Sequence, residues 1–439
     1  MSSISAASLA LADRAHVMAA MAQFGGKPIT QWLDPTKPGY DGALPKRWPE
    51  FQALAPDQII KILAASAPNH CMDGWSYVSR SLSALLSGDP HAARHLAYYA
   101  QLRAALSLLA NLGVGVVDGI NFAVDAEGAI IPLEPKADGS PPAKRGEGTH
   151  TAVWDSLETW SANTVLAASF LQLVRIQGAS LHDILKEIWP GYAPEAVASG
   201  LIASWGADLK QGRDDKLSRN RSSYYPTALN SLPNAPEEHI DFVDNFWDLF
   251  QPAGASQFDR VDAYLIRRLL QSLHNLAHDG IDYLAGQIGK EYERLPAQIQ
   301  AIVPKAFLAI PEVDDRPLII SLALRSGPQA GPTEMLSRAL LLLRLATAFT
   351  HSNMVDAGLP VAEGALRPWL DDIAVARGFW PSAAPLDFLG DLWLDVEYEL
   401  VDFMDLKAGV GSGGWLSRAA KRMPIVSEAE RIGLWSLTA

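Results

Sequence analysis

Arginine and histidine recur together at two places where the surrounding residues read as helix. These are Arg268 and His274 in RLLQSLH, and Arg344 and His351 in RLATAFTH. A fixed guanidinium cation beside an imidazole that titrates near neutrality could orient a scissile phosphate and move the proton of a ribose 2′-hydroxyl. At seven-residue spacing both side chains share one helix face, two turns apart. Such spacing also arises by chance in any long helix, and a charged pair commonly caps a helix end.

Histidines recur one turn apart at His91 and His95 (HAARH) and at His274 and His278 (HNLAHDG), with Asp279 and Asp282 nearby. A transition metal needs three or four converging ligands. Each pair supplies half a site, neither carries the Glu of the zinc-protease motif, and His70 and Cys71 are not adjacent to them. No metal and no cofactor are therefore expected.

Two charge patterns point to partners instead. Asp391, Asp395, Asp402 and Asp405, reinforced by Glu397 and Glu399, fall on one face of a helical segment with no intervening base. Such a stripe is either a solvated face or a docking surface for a basic partner protein. Lys210, Arg213, Lys216, Arg219 and Arg221 cluster ahead of Tyr224 and Tyr225. Cations beside aromatics can grip phosphate and stack bases, although Asp214 and Asp215 dilute the cluster and a polar surface loop accounts for it as well. The glycines at 409, 411, 413 and 414 resemble a phosphate-cradling loop, but no strand precedes them and the Lys-Ser/Thr pair is missing, so they read as a hinge.

The elements that must position these side chains are helical. Of 439 residues, 49% are apolar and 19% charged, enough to bury a large core. Net charge is −13, which opposes general binding to nucleic acid or anionic membrane. One cysteine excludes an internal disulfide and fits a reducing, cytoplasmic setting. The Ala-rich N-terminus lacks the pattern of a secretory signal, and the longest apolar runs, Ala104 to Val117 and Ala339 to Phe349, are too short to span a bilayer.

The apolar spacing predicts a mainly α fold, a bundle-like array of helices with one small β-hairpin over 121–133. Helices are expected at Asp57 to Ala67, Asp73 to Leu86, about His91 to Leu112, Thr149 to Gly178, Leu181 to Trp189, Pro194 to Leu209, Phe258 to Arg294, Glu334 to Thr350 and Leu386 to Leu406. Asp89 and Pro90 form a start signal for the third. The segment Pro317 to Arg325 suits a strand or a helix turn equally. The loop over 25–49 should pin itself with Trp32, Tyr40 and Trp48. A soft boundary within 230–258 divides the chain into residues 1–230 and 231–439, or leaves it as one domain.

The block Gly74 to Asn121, with a Trp-led helix, a Gly-Asp break and an Ala/Tyr-rich helix ending in Leu-Gly, resembles YaaC-like bacterial proteins and, more distantly, the HEPN superfamily. The resemblance covers about a tenth of the chain and rests on packing motifs. HEPN ribonucleases carry an Arg, a few residues and a His, usually with a polar residue after the Arg. In this sequence Leu follows both Arg268 and Arg344. The resemblance therefore implies a non-catalytic member of a bacterial defence-type system. The expected function is a non-enzymatic interaction subunit that binds another protein or itself. The alternatives are a metal-independent ribonuclease using an Arg–His pair, and a small-molecule sensor with Trp154, Trp160 and Trp205 around its pocket.

Overall fold

The computed structural model describes residues 4–33, 44–142, 145–188, 191, 198, 200, 202, 209–225, 236–252, 258–277, 288–289, 291–327, 330–387, 389–410 and 415–438. Trp205, Tyr40, His278, Asp279, Asp282, most of the helix expected over 194–209 and the glycines at 411, 413 and 414 lie outside the described residues.

Helix α1 (Pro56–Leu86) begins with Pro56 in its first turn, where a missing N–H costs nothing. It then runs unbroken through Pro68, joining what the sequence reads as two helices. A proline inside a helix removes one hydrogen bond and costs about 3 kcal/mol. The residues around it are nearly all buried, and tertiary packing of that kind outweighs a local penalty. Helix α2 (Pro90–Asn111) starts as its sequence signals, with Asp89 accepting the Ala92 N–H at 2.9 Å. Gly113 ends it at φ +84°, and a Cβ there would sit 2.4 Å from the Asp13 carbonyl oxygen.

Strands β1 (Val114–Val117), β2 (Ile120–Val124) and β3 (Ile130–Pro132) form an antiparallel sheet in that order. The expected hairpin is β2–β3, closed by Asp125, whose carboxylate accepts the N–H groups of Glu127 and Ala129. The first strand extends it by one. The single helix expected over 149–178 is instead α3 (Thr149–Ala162), α4 (Thr164–Leu173) and a short hairpin, 175–176 against 179–180. Asn163 makes the break by capping α4 through the N–H groups of Val165 and Leu166, the local competition that Asn offers a helix backbone.

Helix α5 (Gln211–Tyr224) follows, then α6 (Pro236–Phe250) and α7 (Asp259–Ala277). Leu318–Ala323 is a helix turn, which resolves the ambiguous 317–325 segment. Helix α8 (Pro332–Asp356) is rich in Leu and Ala and buried almost throughout, its two arginines included, as a central helix must be. It packs on α1 and α2, where Gly74 admits it: a Cβ on Gly74 would lie 2.5 Å from a Leu343 methyl. Thr347 of α8 accepts the Trp75 indole N–H at 3.2 Å and meets Cys71 Sγ at 3.3 Å. Burial pushes that thiol up to about 12, so it stays protonated and inert. Trp32 and Trp48 are buried, pinning the early loop as expected. Helix α9 (Asp391–Asp405) lies near the end of the chain. Among the described residues, no helix is long and apolar enough to cross a membrane.

Candidate functional site

Helix α9 buries Leu392, Val396 and Phe403 against the body of the protein, with Leu400 half-buried beside them. Leu389, just before the helix, is buried too. That is the apolar stripe the sequence spacing gives. The opposite face is not simply acidic. Leu394, Tyr398 and Val401 stand out from it, 52, 83 and 63% exposed, at positions i, i+4 and i+7 of one ridge. Carboxylates border the ridge. Asp395 is tied to Arg431 at 2.8 Å and Asp402 to Arg422 at 2.5 Å. Asp391 and Asp405 are exposed with no ion-pair partner among the described residues.

The Arg–His pairs fare differently. Arg344 points into the core, where its Nε and Nη2 donate to the two oxygens of Asp262 at 2.8 and 2.7 Å. Its guanidinium also lies 4.6 Å from the Phe258 ring centre. Both partners are buried, and burial pushes the Asp262 carboxyl up while the guanidinium opposes it. His351, two turns on, is half-buried, as is Arg268, whereas His274 is fully buried within α7. Asp262 therefore holds the Arg344 guanidinium inside the core, away from solvent.

The basic cluster, expected in a loop, forms helix α5 and packs against α2. Its members separate. Arg213 pairs with Asp155 and Glu158 at 2.5 and 2.9 Å, and Lys216 donates to the Thr151 hydroxyl at 3.1 Å. Lys210 precedes the helix, and Arg221 is exposed. Arg219 is buried over the rings of Tyr98 and Tyr99, at 5.0 and 5.4 Å. The two histidines of HAARH reach the same seam, His91 Nδ1 to Ser222 at 3.2 Å and His95 Nδ1 to Ser223 at 2.6 Å. Among the described residues, no group of three or more His, Cys, Asp or Glu side chains could hold a metal ion.

Trp154 and Trp160 belong to the core, and the Trp154 indole N–H meets the Tyr98 hydroxyl at 3.3 Å. A cleft of about 540 Å³ opens elsewhere, between α6 and the start of α8. Two of its carboxylates are already paired, Glu334 with Arg325 and Asp241 with Lys407.

Four histidines share one direction of shift. Burial lowers His70 well below its ordinary 6.5, with Arg103 adding to the effect. Burial and then the Arg219, Lys216 and Arg103 charges bring His150 down to about 4. Burial lowers His95 and His239 as well. The folded chain keeps these rings neutral at a pH where the unfolded chain protonates them. Their contribution to stability is thus complete above about pH 6.5 and is lost as pH falls toward the folded values. Melting temperature should fall steadily between about pH 7 and 5, with a shallower slope in His70→Asn. A flat profile across that range contradicts this assignment.

No family model matches the chain, and no curated protein or solved structure matches it.

Proposed function

We propose that this chain is a non-enzymatic helical docking subunit of the cytoplasm, of the kind found in bacterial defence-type systems. Its α9 ridge receives a basic amphipathic segment of a partner protein. The observation that carries the reading is the Leu394–Tyr398–Val401 ridge bordered by the exposed Asp391 and Asp405. Apolar area supplies the association free energy, and the carboxylates select a basic partner and raise its encounter rate. The same carboxylates repel a second copy of this face, so a hetero-complex is favoured over self-association through α9.

Co-expression with the products of adjacent genes, followed by size-exclusion chromatography, tests this. A complex should form and weaken at high salt. Tyr398→Glu should cost it about 2 kcal/mol or more, roughly thirtyfold in Kd, while Tyr398→Phe is tolerated. A chain that always elutes alone, or a complex indifferent to Tyr398→Glu, removes the basis of the proposal.

A further inference from the structure

The seam between α2 and α5 has an excess of cations that no contacting carboxylate neutralises. Arg94 and Arg219, 5 and 8% exposed, each bury an Nε that lacks a hydrogen-bond partner. Neither has a carboxylate within ion-pair distance among the described residues. Arg94 makes only long contacts, 3.4 Å to the Ser218 carbonyl and 3.5 Å to the Ser222 hydroxyl. Arg219 has ring faces beneath it, which attract a cation without cancelling its charge. Burial depresses Arg94, and Arg221 is a third charge close enough to depress it further, while Glu334 and Asp215 oppose both from a distance.

Asp215, the buried acid nearest this seam on α5, is held by Arg338 and Gln101 instead. In a chain of net charge −13, a concentration of buried, unneutralised guanidinium is costly unless an anion completes it. The lowered His95 and His150 are further signs of positive potential, since Arg219 adds to burial in both. The rim is open, because His95, Tyr99 and His150 are only half-buried. It also carries a ring ladder. Tyr77 stacks on Tyr99 at 5.4 Å and 26°, and His95 lies 5.0 Å beyond.

We infer that the α2–α5 seam binds a phosphate-bearing ligand of the mononucleotide class, anchored by Arg219 and Arg94, with His95 at the open end of the ring ladder as the stacking surface for a planar base. Guanidinium donors match phosphate oxygens geometrically, seam hydroxyls supply further donors, and base–aromatic stacking discriminates little among bases. This site is separate from α9 and does not depend on the docking proposal.

Thermal-shift and calorimetric titrations of the full chain with inorganic phosphate, AMP and adenosine test it. Phosphate and AMP should each give a saturable stabilisation, with AMP the tighter, and adenosine should give none. Arg219→Gln, checked for an unchanged circular dichroism spectrum, should weaken both by about tenfold or more. His95→Ala on the rim should weaken AMP alone, and it carries the test if Arg219→Gln does not fold. The inference is overturned by no saturable response up to about 10 mM of either anion, by adenosine matching AMP, or by affinity undiminished in a folded variant. A single-stranded RNA oligomer that binds without competition from AMP overturns it too.

Discussion

Arg344→Ala will lower the unfolding free energy by about 3–5 kcal/mol, because it leaves Asp262 as a buried carboxylate without its cation. The pair closes α8 onto α7 through two hydrogen bonds of 2.7 and 2.8 Å with both side chains sequestered. Asp262→Ala should be damaging by a similar amount, since it strands the guanidinium. The double variant Arg344→Met with Asp262→Leu behaves differently, because burying two apolar groups of similar size in place of an ion pair is often neutral or better. Urea denaturation of the wild type, the two single variants and the double variant gives the coupling energy directly. Near-additive single effects would show that the pair is not a closed unit.

This result bears on function as well. A ribonuclease built on Arg344 and His351 predicts a folded, inactive Arg344→Ala protein, whereas a structural pair predicts a poorly folded one. Incubation of wild type, His274→Ala and His351→Ala with labelled RNA completes the comparison. Cleavage lost on either histidine substitution, in a protein of unchanged stability, would restore the enzyme reading.

The apolar periodicity carried most of the architecture. It is a local property, and α9 buries the face that its own spacing specifies, whereas α2 leaves Leu96 and Tyr99 half-buried and α8 is buried on nearly every side. Capping signals held where they were unambiguous, as at Asp89 and Pro90. Two helix boundaries failed because tertiary contacts and a local cap decided them. Pro68 stays inside α1 under the packing of α2 and α8, and Asn163 breaks the 149–178 segment with a cap that no change of periodicity announces. The ion pairs were invisible for a different reason. Asp262 lies 82 residues before Arg344 and Asp215 lies 123 before Arg338, so no local pattern links them. On α9 the acids were legible, but the ridge was not. Leu394, Tyr398 and Val401 emerge as a ridge only once the buried stripe is known to face the other way. The HAARH spacing was visible as well, and it marks a shared helix face that meets the hydroxyls of Ser222 and Ser223 on α5.

Asp215→Ala is expected to release α5 from the body of the protein. Helix α5 is polar along its length and has few apolar anchors of its own. What fixes its inner end is Asp215, fully buried and bonded by Arg338 at 2.7 and 2.8 Å and by Gln101 at 2.9 Å. One carboxylate thus ties α5 to α2 and α8 together. Burial pushes it up and the bidentate guanidinium resists that shift. Its removal orphans a buried arginine, with an expected cost of about 3–5 kcal/mol. Because the remaining contacts of α5 are largely polar and partly exposed, the loss should appear first as local opening of this helix rather than as global unfolding. Limited proteolysis separates the two. Cleavage within 211–225 should accelerate well before the core helices are cut. Uniform digestion of the chain would instead mean that Asp215 supports the whole core, and that α5 opens only when everything does.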